Sequence, residues 1–231
     1  MKKTICFILK ILITICVVLG VLIACLTYKN DGYSAWYKRL YYFTNISNLF
    51  MGIISVVCLI IPFTKHARNE NLMNRVYLIR YVLVVGIAVT CLIFCGLLAP
   101  FADEDYNTWS FNSVLLHVVV PVLSIIDFSL DKFPASLNNK CVWWGVVFPL
   151  VYFIIAFVMG SCGVDFGRGD CFPYFFMDVN NPAGFFGFKY AKPRPYIGMF
   201  YWLIILCLII LLLSKLIITI SPCLKKEDAN K

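Results

Sequence analysis

Charged residues are scarce in this chain of 231 residues. Asp, Glu, Lys and Arg make up 14% of it, whereas they make up about 25% of soluble proteins. Hydrophobic residues make up 61%, so there is too little polar surface to cover a water-soluble globule. The composition excludes a soluble domain and predicts one integral membrane domain over residues 1–231.

The chain also lacks the patterns of a metal or nucleic-acid site. It has eleven Cys and two His, and no CxxC pair or Cys/His spacing typical of a metal site occurs. Most of the Cys residues lie in apolar segments, where Cys behaves as a small hydrophobe. The basic residues behind the net charge of +8 are spread through loops and ends. We therefore expect no metal, no organic cofactor and no nucleic-acid partner.

Six segments are long and apolar enough to cross a bilayer, which takes about 20 residues. They are residues 5–27, 44–63, 76–99, 110–130, 142–160 and 196–220. We predict an all-α integral membrane protein, built as a bundle of six transmembrane helices. The first segment follows Lys2 and Lys3 and resembles a signal peptide with a lipoprotein-like box at 22–25, but its length favours a retained helix.

The distribution of Lys and Arg predicts that both termini are cytoplasmic. With the N-terminus inside, the inner side carries most of the basic residues, including Lys225 and Lys226, as the positive-inside rule requires. Basic and acidic residues balance on the outer side, although Lys29, Lys38 and Arg39 count against this orientation. The loops and the short basic ends are typical of a protein of the bacterial plasma membrane.

The longest loop, residues 161–195, is rich in Gly and Pro and also carries aromatic residues. A loop of this length without periodicity is usually functional or disordered, and the aromatic residues argue against full disorder. We interpret it as a lid on the outer membrane face; a plain connector is the alternative. Cys162 and Cys171 fall in this loop and can form a disulfide if the outside is oxidising.

Polar side chains inside a span are costly and often mark a functional site. Thr44, Ser47 and Asn48 share one face of the second helix. His117 lies about 10 Å inside the fourth helix, and both helices run inward, so Thr44 and His117 can meet at one depth. Asp127 lies about 15 Å deeper than His117, and we interpret it as a helix cap or a polar contact with a neighbouring helix.

These residue types are the parts of an ester hydrolase. A Thr hydroxyl becomes a nucleophile when a base takes its proton, and neutral His is the usual base. Asn45 or Asn48 can donate hydrogen bonds to the oxyanion that develops on the ester. The predicted reaction is hydrolysis of a lipid ester, with the acyl chain held between helices.

A non-catalytic lipid-binding or transport protein is the alternative, because the same side chains also hold membrane helices together. A transporter usually shows discontinuous helices, several charges at mid-membrane depth or internal repeats. The chain has Pro121 and Pro149 within its helices, but almost no charge at mid-depth and no internal repeat. These features favour the hydrolase over a transporter.

Two motifs resemble those of the androgen-induced-protein family. They are residues 43–49, FTNISNL, and residues 116–121, LHVVVP, the second followed by Asp127. Residues 172–176, FPYFF, with Asp178 are similar to the bacterial branch of that family. Its animal members are six-span threonine hydrolases that cleave fatty acid esters of hydroxy fatty acids. The resemblance therefore implies Thr44 as nucleophile and His117 as base.

Overall fold

The computed structural model describes residues 2–101, 107–191 and 194–224. Lys225 and Lys226, which entered the charge argument, lie outside the described residues. The prediction of six helices long and apolar enough to cross a membrane is confirmed. They are α1 (Lys2–Leu26), α2 (Phe43–Phe63), α3 (Glu70–Leu98), α4 (Phe111–Leu130), α5 (Asn139–Ser161) and α6 (Met199–Thr219).

Helix α3 begins six residues before the expected position because a side chain caps it. Asn69 precedes Glu70, and its Oδ1 accepts a hydrogen bond of 3.0 Å from the backbone N–H of Leu72. Such a bond satisfies one of the N–H groups that have no partner within the helix. The first turn of α3 is therefore helical even though its residues are polar.

Helices α1 to α4 form the packed core, and α5 and α6 lie at its periphery. Helix α1 packs against α2 and α4, and α3 packs against α2, α4 and α6. The first turns of α5, Asn139–Val146, pack closely on α6. A side chain at Gly145 would collide with Ser214 of α6. The remainder of α5, Val147–Ser161, makes few contacts with α6, so the two helices diverge.

The start of α1 and the end of α6 lie at one end of the bundle, which we call the terminal end. The opposite end, which we call the lid end, is covered by residues 162–191 and 194–198, the described residues between α5 and α6. We call this segment the lid. It includes an antiparallel hairpin of β1 (Phe188–Ala191) and β2 (Arg194–Ile197), so the all-α expectation is corrected by two strands. They are too short to give a recognisable period in the sequence.

The thiols of Cys162 and Cys171 in this region are free. The disulfide that the sequence allowed is therefore not formed in the structure.

Two helices contain a π-helical turn at the lid end. These turns are Phe94–Leu98 in α3 and Leu115–Val119 in α4. Pro100 follows the first turn closely, and Pro121 follows the second. Because Pro has no N–H and its ring collides with the carbonyl four residues earlier, the chain widens locally. The π turn in α4 contains His117, and such turns are frequent at functional sites.

A neutral cluster of four charged side chains lies towards the terminal end of the bundle. Lys10 Nζ of α1 lies 2.9 Å from Asp127 Oδ1 and 2.8 Å from Asp131 Oδ2. Arg80 of α3 binds the same two carboxylates, at 2.6 Å and 2.7 Å. Lys10, Arg80 and Asp127 are all buried. Asp127 therefore contacts neighbouring helices and is not a helix cap.

Candidate active site

Thr44 and His117 are in contact at the lid end of the bundle. Thr44 is the second residue of α2, which begins after the extended residue Tyr42. Its Oγ1 lies 3.2 Å from Nε2 of His117 in α4. The structure brings together the two side chains that the sequence placed at one depth, while their catalytic roles stay a prediction.

The second ring nitrogen of His117 fixes which nitrogen carries the proton. Nδ1 lies 2.8 Å from the backbone carbonyl oxygen of Ser113. A carbonyl oxygen can only accept a hydrogen bond, so Nδ1 carries the proton in the neutral ring. Nε2 is then an acceptor, and the Thr44 hydroxyl donates to it. This is the arrangement that a general base requires before it takes the proton of a nucleophile.

The ring of His117 is also held by an aromatic neighbour. Phe94 stacks on it, with the ring centroids 3.9 Å apart and the planes inclined by 21°. Phe94 begins the π turn of α3, so the two π turns meet at this contact. The imidazole is therefore oriented by Ser113 on one side and Phe94 on its face.

The two asparagines predicted for the oxyanion differ in their contacts. Asn48 uses both amide N–H groups, donating to the carbonyl oxygens of Thr44 at 2.7 Å and Leu116 at 3.0 Å. We therefore assign Asn48 to the packing of α2 against α4. Asn45 donates one N–H to the carbonyl oxygen of Arg39 at 2.7 Å, and it lines a cavity beside Thr44. Its oxyanion role stays a prediction.

Tyr174 of the lid is a functional candidate that sequence reasoning missed. Burial raises the pKa of its hydroxyl to about 12, and interactions with the Thr44 hydroxyl and with the N–H groups of Thr44 and Phe43 oppose this rise. The phenol oxygen therefore lies near the Thr44 hydroxyl and the first N–H groups of α2. The only signal in the sequence was the aromatic run at 172–176, which did not single out this ring.

A polar cavity of about 740 Å³ opens from Thr44 and His117 beneath the lid. Its volume falls in the range of about 300–1,000 Å³ that is typical of small-molecule sites. Side chains of both charges and several amides line it, including Arg39, Asn112, Arg168, Asp170 and Asp178.

A second, narrow pocket of about 80 Å³ lies on the other side of Thr44. Its walls come from α3, from the diverging parts of α5 and α6, and from the lid, and they are almost entirely apolar. Its lining includes Ile93, Pro149, Leu150, Phe153, Leu206 and Ile210. Thr44 therefore stands between an apolar pocket and a polar cavity.

The lid is bound to the segment between α1 and α2. Asp165 accepts a hydrogen bond of 2.7 Å from Nζ of Lys38. The N–H of Ser34 donates to the carbonyl oxygen of Gly167 at 2.9 Å. The guanidinium groups of Arg39 and Arg168 both lie against the ring of Tyr33, at 4.6 Å and 4.7 Å from its centroid. These contacts keep the lid over the polar cavity.

We expect Lys38→Met to raise the pKa of Asp165. Mainly because of the hydrogen bond from Lys38, this pKa is lowered from its ordinary 3.8 to about 2. A lowered pKa means that the Asp165 contact stabilises the lid above pH 3.8 and is lost as the pH falls through about 2. A ¹³C NMR titration of the Asp165 carboxyl in detergent measures the shift. Lys29→Met, at an exposed lysine of the same segment, is the control, and equal midpoints in the two variants would contradict the prediction.

Comparisons with models of known protein families, with curated proteins and with solved structures find no match to this chain. Among residues 2–101, 107–191 and 194–224, no three His, Cys, Asp or Glu side chains are grouped so that they could hold a metal ion. The site is therefore interpreted from its own geometry.

Proposed function

We propose that this protein is an intramembrane hydrolase of a lipid ester of the fatty-acid-ester type. Thr44 is the nucleophile and His117 is the general base. The observation that carries the proposal is the 3.2 Å contact between Thr44 Oγ1 and His117 Nε2, with the proton of the ring held on Nδ1 by Ser113. The resemblance to the androgen-induced-protein family supports the same two roles.

The first half of the reaction transfers the acyl group to the protein. Thr44 Oγ1 attacks the ester carbonyl carbon while its proton moves to His117 Nε2. The bond between this carbon and the alcohol oxygen then breaks, and Nε2 returns the proton to that oxygen. The free alcohol leaves, and Thr44 carries the acyl ester.

The second half releases the fatty acid. A water molecule gives a proton to His117 Nε2 and attacks the acyl carbon. The bond from this carbon to Oγ1 breaks, Oγ1 takes the proton, and the fatty acid leaves. Through both halves the Ser113 carbonyl keeps Nδ1–H oriented, which is the positioning part that a carboxylate plays in many hydrolases.

Three donors beside Thr44 can stabilise the oxyanion. The backbone N–H groups of Phe43 and Thr44 are in the first turn of α2, where N–H groups have no intrahelical partner and the helix dipole is positive. The Tyr174 hydroxyl lies close to both groups and to the Thr44 side chain. Fixed donors that face the developing charge are a large source of rate enhancement.

We expect Tyr174→Phe to lower kcat by about 10²–10³-fold, the usual effect of removing one oxyanion donor, with little change in KM. The ring contact with Phe176, at a centroid distance of 5.1 Å, needs no hydroxyl, so the lid should still pack. Steady-state hydrolysis of a 4-nitrophenyl ester separates kcat from KM. Tyr201→Phe, outside both cavities, is the control. An unchanged kcat in Tyr174→Phe would remove Tyr174 from the mechanism.

We also propose that the protein lies in the bacterial plasma membrane with both termini cytoplasmic and the lid outside. The excess of basic residues near the terminal end supports this orientation. Cys162 is exposed at the lid end, so an impermeant maleimide should label it in intact cells. Labelling only after lysis would show that the orientation is the reverse of the one proposed.

Ester hydrolysis by the purified protein tests the proposed function. A long-chain 4-nitrophenyl ester in detergent micelles should be hydrolysed by the wild type. His117→Gln should lower kcat by about 10²–10⁴-fold, since that is the usual contribution of a general base. If the wild type is inactive, or His117→Gln is equally active, the hydrolase proposal fails and the polar side chains only pack helices.

A further inference from the structure

The two cavities beside Thr44 have opposite chemistry. Thr44, Leu98 and Tyr174 line both of them. An ester whose carbonyl carbon lies at Thr44 Oγ1 must extend one part into each cavity. The side chains that line each cavity therefore indicate which part of the substrate it receives.

The apolar pocket suits one acyl chain. Apart from Thr44, Thr90 and tyrosine hydroxyls, its lining is apolar, so a polar group there would lose its hydrogen bonds to water. Its volume of about 80 Å³ holds only the first part of a single chain. The rest of the chain can extend between the diverging parts of α5 and α6, which are mostly exposed at the bundle surface.

The polar cavity does not suit a second alkyl chain. Arg39 and Arg168 face it together with Asp170 and Asp178, so it presents donors and acceptors of both charges. Asn112 also lines it. An alkyl chain would exclude water from these groups without replacing its hydrogen bonds, which is costly.

We propose that the substrate is an ester of one fatty acid with a polyol, and this inference rests on the proposed function. The acyl chain lies in the apolar pocket and the polyol lies in the polar cavity, where its hydroxyl groups both donate and accept. Hydrolysis through Thr44 and His117 releases the polyol first and the fatty acid second. This substrate differs from the ester of a fatty acid with a hydroxy fatty acid that the family resemblance implies, because that ester carries a second alkyl chain.

Three esters that share the oleoyl chain test the proposal. They are 1-oleoylglycerol, oleyl oleate and the oleic acid ester of hydroxystearic acid, each presented in the same detergent micelles. We expect kcat/KM for 1-oleoylglycerol to exceed that for each of the others at least about tenfold, because a site with many polar groups rejects an analogue that leaves them unpaired. Equal or higher kcat/KM for either two-chain ester would overturn the proposal.

A 4-nitrophenyl ester separates this inference from the proposed function. If its hydrolysis depends on Thr44 but 1-oleoylglycerol is not preferred, the hydrolase stands and the polyol inference fails. If no ester is hydrolysed in a Thr44-dependent way, both fail.

A variant in the polar cavity gives a second readout. Asn112→Leu should lower kcat/KM for 1-oleoylglycerol about tenfold more than for oleyl oleate, since it removes a polar partner of the polyol only. Asn71→Leu, at an exposed asparagine at the start of α3, is the matched control and should leave the ratio unchanged. An unchanged ratio in Asn112→Leu would contradict the placement of the polyol.

Discussion

Thr44→Val is expected to lower kcat for ester hydrolysis by at least about 10³-fold, the scale seen when a nucleophile is removed. Val has nearly the shape of Thr, so the substitution removes the hydroxyl that donates to His117 Nε2 and little else. The lost hydrogen bond should cost about 1 kcal/mol of stability. The variant should therefore fold and pack as the wild type does.

Thr44→Ser is the matched variant for this prediction. It keeps the hydroxyl within reach of His117, so activity should return to within about tenfold of the wild type, a loss of no more than about 1.4 kcal/mol in barrier height. Hydrolysis of the same 4-nitrophenyl ester measures all three proteins, and unfolding in detergent checks that each is folded. Equal activity in Thr44→Val and wild type would show that the nucleophile is another group.

Arg80→Met should lower the free energy of unfolding by about 3–5 kcal/mol, the usual cost of removing one partner from a buried ion pair. Arg80 is 1% exposed and binds both Asp127 and Asp131. Without it, the buried carboxylate of Asp127 and the partly buried carboxylate of Asp131 face the single charge of Lys10. Arg75→Met, at an exposed arginine of the same helix, should change stability by less than about 0.5 kcal/mol.

A double variant shows whether charge balance is the cause of this loss. Asp127→Leu alone should be destabilising on a similar scale, because it leaves Lys10 and Arg80 facing Asp131. Arg80→Met combined with Asp127→Leu leaves the pair of Lys10 and Asp131, which are 2.8 Å apart. The double variant should regain most of the lost stability. Titration with a denaturing detergent measures the four proteins, and strictly additive losses would contradict this explanation.

The six helices could be predicted from the sequence because apolar length is a direct requirement of the bilayer. The similar depth of Thr44 and His117 followed from helix rise and direction alone, since each residue sits near the lid end of its own helix. Both inferences use only distances along a helix axis. Neither depends on which helices are neighbours.

Features that depend on neighbouring helices were not predictable. Lys10 and Arg80 pair with Asp127 inside the bundle, and nothing along the chain indicates that α1, α3 and α4 bring these side chains together. Asn48 shares a helix face with Thr44, yet its amide donates a hydrogen bond to the carbonyl oxygen of Leu116 in α4. Tyr174 reaches Thr44 because of the course that the lid takes, and no hydrophobic periodicity in the sequence of the lid predicts that course.

The most direct test of the central claim is to map the site of covalent modification by a fluorophosphonate, a reagent that reacts with activated hydroxyl nucleophiles. Purified wild-type protein in detergent is treated with the reagent, digested and analysed by mass spectrometry. Our account predicts an adduct on Thr44 that is absent in His117→Gln, because Nε2 must take the hydroxyl proton. An adduct on another residue, or none on the folded wild type, would contradict it.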